Sequence, residues 1–230
     1  LTTNFVDVDK FAAAAEDLFD EDLGCSFTWT EPTEINDIIV RLLETIEGVL
    51  YSSLDTGKIV LELIRPVDPE SLPLVTDKQA GIDFTLEISD PNNCVGEVRI
   101  PYFDVEKNTE ATGLAQSITN RTRNGAATSV TIELLGVADA DAANRCATRE
   151  WAQLVEPPNR GTLRANRELY NFTVGTAFRL TWEPHRIEEE VWRVLEIDHG
   201  TIDNGMIEMK VAQDRAPSDD PQLGAVATTI

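Results

Sequence analysis

The sequence predicts an α+β protein: a small α+β unit with an antiparallel hairpin, followed by a mainly antiparallel β split-barrel unit with one inserted helix. Two apolar stripes at helical spacing and one hairpin-type turn fall within the first 66 residues. Six strand-like segments follow residue 94, interrupted by one helical stretch that Pro157-Pro158 stops. The charge divides in the same way. Residues 1–100 hold 21 acids and 6 bases, net −15, whereas residues 101–230 hold 20 acids and 13 bases, net −7.

The first unit, residues 1–66, opens with a helix for which Asp9 is the expected N-cap. Phe11, Ala14, Ala15, Leu18 and Phe19 give it an apolar stripe, and Asp20-Glu21-Asp22 with Gly24 end it. Cys25, Phe27 and Trp29 alternate with Ser26, Thr28 and Thr30, the period of a half-buried strand. Pro32 and Thr33 start a second helix, with Glu34 and Asp37 in the first turn where the dipole favours acids. Its expected buried face is Ile35, Ile38, Ile39, Leu42, Leu43 and Ile46, and Gly48 is the expected stop. Val49–Ser52 and Lys58–Arg65 are expected strands joined across Leu54-Asp55-Thr56-Gly57.

Residues 67–94 are rich in turn formers (Pro69, Pro73, Gly81, Pro91, Asn92, Asn93) and read as a connecting segment with one strand near Phe84–Ile88. The β-barrel-like unit is placed at 95–215. Its expected strands are Val95–Phe103, Ser129–Leu135, Thr162–Leu169, Thr176–Trp182, Val191–Ile197 and Gly205–Val211, with an Asp203-Asn204-Gly205 turn before the last. The inserted helix is Asp139–Val155, with Ala143, Ala147, Trp151 and Leu154 on one side, expected to plug the barrel. Residues 216–230, with Pro217, Asp219, Asp220 and Pro221, read as an outgoing linker.

The 230 residues carry 41 acids against 19 bases, a net charge of −22. That balance argues against a nucleic-acid binder, whose affinity rests on neutralising phosphates, and against an anionic membrane surface. No apolar run reaches the roughly 20 residues of a membrane-spanning helix. No signal peptide is visible, and a start at Leu1 rather than Met suggests a piece of a longer protein. Cys25, Cys94 and Cys146 are far apart, without metal or disulfide spacing, and read as semi-buried free thiols.

Catalytic chemistry finds little support. There is no Ser elbow and no phosphate-cradling glycine loop. His185 lies in the loop Glu183-Pro184-His185-Arg186 and His199 in Asp198-His199-Gly200, each placed for local turn bonding. Asp7-x-Asp9, Asp20-Glu21-Asp22 and Asp139-x-Asp141 offer oxygens for calcium but continue into no EF-hand loop, so they read as caps and solvated carboxylates. The sequence therefore assigns no catalytic, cofactor or metal residue. Two rivals to a structural role remain. A glycan hydrolase would use paired carboxylates such as Glu188-Glu189-Glu190 beside Trp192, or Glu31 near Trp29. A receptor- or carbohydrate-binding module would need Trp29, Trp182 and Trp192 exposed. Asn120-Arg121-Thr122 and Asn171-Phe172-Thr173 match the glycosylation pattern, without a secretory context to give it meaning.

Several segments share a pattern with a known family. They are Phe11-Ala12-Ala13-Ala14-Ala15-Glu16, Gly24-Cys25-Ser26-Phe27-Thr28-Trp29, Ile35-Asn36-Asp37-Ile38-Ile39, Gly48-Val49-Leu50-Tyr51 and Thr56-Gly57-Lys58-Ile59. Leu61–Arg65 with Leu72-Pro73, Val98-Arg99-Ile100-Pro101-Tyr102-Phe103-Asp104, Ala142-Ala143-Asn144-Arg145-Cys146-Ala147, Arg193-Val194 and Asp214 follow in order. Over about residues 5–214 the chain resembles the tail-tip hub proteins of long-tailed bacteriophages and prophages. One departure is Gly175-Thr176, where the family often has a Gly-Asp turn. The resemblance implies a non-enzymatic virion component made in the host bacterial cytoplasm. It would close the tail tube as a trimeric ring in the full-length protein, with other tail proteins (tube, tip and fibres) as partners and no cofactor. It carries over no functional residue. It also gives the acidity a meaning, since a negative lumen would let DNA pass without adhering.

Overall fold

A computed structural model describes residues 5–28, 32–78, 81–89, 95–105, 107–116, 129–155, 157–201 and 205–214. Among them are three α-helices and eleven strands in three sheets, the α+β class that the residues predict, with an antiparallel hairpin and a curled six-stranded half-barrel. The described residues form two compact units, neither continuous in sequence: 5–64 with 95–155, and 65–89 with 157–214. The segment expected as one barrel unit, 95–215, thus divides between them. The expected connection at 67–94 instead supplies two strands to the second unit.

In the first unit, α1 (Val8–Asp20) is capped by Asp7 rather than Asp9: the Asp7 carboxylate accepts the Lys10 backbone N–H at 3.2 Å. The strand expected from Cys25 does not form over the described residues 23–28. There Ser26 N–H donates to the Gly136 carbonyl as a single tie, and Trp29 lies outside the described residues. Alternation alone does not make a strand without a partner to pair with. α2 (Ile35–Ile46) is followed by the hairpin β1 (Gly48–Ser52) and β2 (Ile59–Leu63), in register from Gly48↔Leu63 to Ser52↔Ile59. The left-handed residue closing α2 is Glu47 (φ 50°), one place before the expected Gly48, which belongs to β1. Both α1 and α2 pack on this hairpin.

The rest of the first unit is a three-stranded sheet in the order β6-β5-β7, made of β5 (Glu97–Asp104), β6 (Thr109–Gln116) and β7 (Ser129–Thr131). The helix α3 (Ala140–Val155), expected to plug the barrel, packs here, on β5 and β6. Val98, Ile100, Ala115, Cys146, Ala147 and Trp151 are the core of this contact. Gly113 makes it possible: a Cβ there would stand 2.8 Å from the Ala143 backbone, so only a bare strand admits the helix so close.

The second unit is a six-stranded sheet in the order β3-β9-β10-β11-β8-β4. Its strands are β3 (Leu74–Thr76), β4 (Asp83–Glu87), β8 (Arg160–Ala165), β9 (Ala177–Trp182), β10 (Ile187–Asp198) and β11 (Ile207–Gln213). All neighbours are antiparallel except β3 with β9. β8 stops at Ala165, short of the expected Leu169, because the Asn166 side chain caps a short turn at Arg167–Leu169. Asp203 and Asn204 lie outside the described residues, as does 216–230. The concave face is filled by Phe84, Leu163, Phe178, Leu180, Trp192, Val194, Met209 and Val211. The Phe84 ring lies over Gly161 on the neighbouring strand and stacks edge-on with Trp182 (5.7 Å) and Trp192 (5.3 Å). Buried Arg193 ties the sheet to its surroundings. It donates to Asp214 Oδ2 from Nε (3.0 Å) and Nη2 (2.6 Å), and to the Gly175 and Arg65 carbonyls.

Candidate functional site

The side chains singled out for chemistry are scattered and locally employed. Asp7 caps α1, and the Asp139 carboxylate accepts the Ala142 N–H at 2.8 Å to cap α3. Asp22 is a left-handed residue after α1. His185 sits in the β9–β10 turn with its ring 6.0 Å from Phe84, and His199 packs edge-on against Tyr170 at 5.4 Å. Glu188-Glu189-Glu190 fall at a β-bulge. Glu189 pairs with Arg179 at 2.8 Å and Glu190 accepts the Gln213 amide at 2.9 Å, which ties two of the three carboxylates to neighbouring strands. Trp182 and Trp192 are core residues, 6% and 0% exposed, which removes two of the three platforms a sugar site would use. Trp29 and Glu31 lie outside the described residues, as do Cys94 and Asn120-Arg121-Thr122. In the other sequon Phe172 is buried, and Thr173 bonds Thr176 in the turn at the Gly175-Thr176 departure. Thr176 Oγ1 accepts the Thr173 N–H there at 3.0 Å, as an Asp carboxylate would. Burial raises the pKa of the Cys25 and Cys146 thiols, which favours the protonated form of both.

The feature that stands out physically is α2. At 100° per residue, Ile38, Leu42, Ile35, Ile46, Ile39 and Leu43 form an unbroken apolar arc of roughly 140°, wider than the stripe a surface helix needs, and Val40 stands beyond Asn36. The hairpin covers only part of it. Thr45 and Ile46 are buried, whereas Ile35 is 68%, Val40 52% and Ile39 37% exposed. The expected buried face needs correction: only Ile46 is buried, Ile38, Leu42 and Leu43 are half-buried, and Ile35 and Ile39 are exposed, because Gly48 of β1 meets the helix at Leu43 and Ile46.

The C-terminal half of α2 is held firmly. α2 has no base in its last turn, and α3 supplies one. Arg149 Nη1 donates to the Thr45 carbonyl and Nη2 to the Glu44 carbonyl, both at 3.2 Å, in the position where a helix dipole favours a cation. The same guanidinium pairs with Glu47 (3.2 Å) and Glu150 (3.0 Å). The Thr45 hydroxyl accepts the Leu135 N–H at 3.0 Å, and Gln153 donates to Glu47 at 2.8 Å. Between these ties lies an open cleft of about 540 Å³, walled by Val40, Leu43, Ile64, Ile132 and Leu134. Its polar margin is Glu44, Glu47, Glu150 and Gln153. The cleft draws on segments about 100 residues apart, so no local motif announces it. The signal in the sequence was the width of the α2 apolar arc.

Residues 34–197 match the model of a family described as "Putative phage tail protein". No curated protein matches the sequence. Among solved structures, the chain is similar to the tail protein from Neisseria meningitidis MC58. They share 14% identity and a TM-score of 0.58, over 83% of this chain and 59% of that one. It is also similar to a chain in the virion of a native gene transfer agent particle (13% identity, TM-score 0.54, 90% of this chain and 48% of that one). A third is the 43 kDa tail protein of prophage MuSo2 from Shewanella oneidensis (12% identity, TM-score 0.51, 89% and 66%). At these identities the likeness is one of fold. The chain spans between about half and two thirds of the length of these proteins.

Proposed function

The chain belongs to this family of phage tail proteins, and from that membership we propose that it is a hub component of the tail tip. That it is a structural phage tail protein follows from the family; its place at the distal end of the tail tube is what we propose. The observation that carries it is the family match across residues 34–197, supported by a fold like that of tail proteins from Neisseria and a Shewanella prophage. The full-length protein works as a trimeric ring in contact with tube, tip and fibre proteins. It does so by burial of surface and not by a reaction. The unused apolar surface of the first unit and the two tied carboxylates of the β10 bulge both favour that reading over a glycan hydrolase or a sugar-binding module.

The charge of −22 suits a channel wall past which DNA moves, because like charge removes the attraction that would hold it. The test is electron microscopy of particles carrying an epitope on this chain. Label at the distal tail end, with three copies per particle, is the expected result. Label on the capsid or along the whole tube, or particles without the chain, would overturn the hub assignment.

A further inference from the structure

We propose that the cleft between α2 and α3 receives an amphipathic segment of another tail protein, apolar along one side and carrying Lys or Arg beside it. The proposal rests on the tail assignment and deepens it by naming a face and the chemistry of its partner. The apolar surface does not end at the cleft. Outside it on the same helix, at steps of four from Leu43, stand Ile39 and Ile35, about 12 Å of helix in all. An apolar row along one helix suits a segment laid lengthwise, with side chains entering at intervals of three and four.

Charge selects which segment. The ionisable groups on the margin of the cleft are Glu44, Glu47 and Glu150. The cation nearest to them by position, Arg149, spends its donors on the Glu44 and Thr45 carbonyls and its charge on Glu47 and Glu150. Three acids against one guanidinium leave the margin at a net −2, with Glu44 the acid that Arg149 does not pair, and the same margin on a second copy would repel it. A segment with Lys or Arg next to its apolar residues gains the opposite sign at the rim while its apolar side covers Val40, Leu43 and Leu134. Exposed Ile39 and Val40 would then be anchors, and the acids would set the choice of partner.

Photocrosslinking in assembled particles tests this. p-Benzoylphenylalanine is placed at Ile39 of the full chain, the particles are purified and irradiated, and the adduct is mapped by mass spectrometry. The expected result is a covalent link to one other tail protein, within an apolar segment bearing Lys or Arg. Glu44→Lys in the same background should lower the yield of that adduct by about tenfold, and Glu44→Gln by less. Thermal unfolding of both variants should match the parent, which separates a lost contact from a lost fold. An adduct to a second copy of this chain overturns the proposal. So does an adduct to a segment without basic residues, an unchanged yield in Glu44→Lys, or no adduct in particles that contain the chain. Particles that lack the chain overturn the tail assignment itself, and the proposal with it.

Discussion

The two units handle their apolar side chains in opposite ways. Of the twelve largest fully buried side chains among the described residues, nine belong to the six-stranded unit and three to the unit with the helices. The exposed large apolar residues run the other way: eleven in the helical unit, among them Phe5, Phe19, Ile35 and Val40, against five in the other. The six-stranded unit closes a core on its own side chains. The helical unit has the same kind of residues but too little sheet to cover them, and the surplus faces solvent. The difference separates a unit whose apolar side chains are closed in from one that leaves an apolar surface open, the kind of surface that contacts use.

The largest effect expected from that contrast is in the closed core. Trp192→Ala removes a side chain with no exposed surface, packed against Phe84, and should cost about 3–5 kcal/mol in urea unfolding. A loss below about 1 kcal/mol would mean the half-barrel is not the closed unit, and the contrast would break.

Next is the buried clamp of the same unit. Arg193→Met keeps the apolar stem but leaves Asp214 and the Gly175 and Arg65 carbonyls without their donor, at a cost of about 2–3 kcal/mol. Pairing it with Asp214→Asn in a double-mutant cycle isolates the ion pair. A coupling near zero would show that the Arg193 contribution lies in the two carbonyls alone.

How far these features could be read from the sequence depends on whether their cause was local. β9, β10 and β11 were legible because Phe178, Leu180 and Trp182, or Ile207, Met209 and Val211, alternate with polar residues over a half-buried sheet. α3 was legible from its spacing and from Pro157-Pro158, but not the surface it covers. β6 was missed because Thr109–Gln116 is small and polar, with Gly113 and Ala115 chosen by the close approach of α3 and not by strand propensity. β3 was missed because three residues after Pro73 become a strand only by pairing with β9. The cleft was illegible for the same reason: Val40, Ile64, Ile132 and Glu150 meet only in the fold. What the sequence did show at α2 was an apolar arc too wide for one packing surface.

A smaller effect sharpens the contrast inside the helical unit. Asp7→Ala removes the cap acceptor of α1 and should cost about 1 kcal/mol, whereas Asp9→Ala, one turn position inside, should cost less than half of that. A larger cost for Asp9→Ala than for Asp7→Ala would return the cap to Asp9. Either change is detectable as a shift in the urea midpoint with unchanged slope.

The smallest effect on stability carries the most weight for function. Ile35→Ser and Val40→Ser replace side chains that the fold leaves more than half exposed, so each should change unfolding free energy by no more than about 0.5 kcal/mol. Exposed apolar residues on a helix normally cost a protein solubility. Keeping three of them on one helix, beside a cleft edged with acids, makes sense if another chain covers them in the assembled tail. The two substitutions should therefore leave the isolated protein as stable as before, reduce its tendency to aggregate, and lower its incorporation into particles. If stability falls by 2 kcal/mol or more, these residues belong to the core after all and the helical unit is as closed as its neighbour. If stability and incorporation are both unchanged, the surface carries no contact, and the contrast between the two units stops at packing.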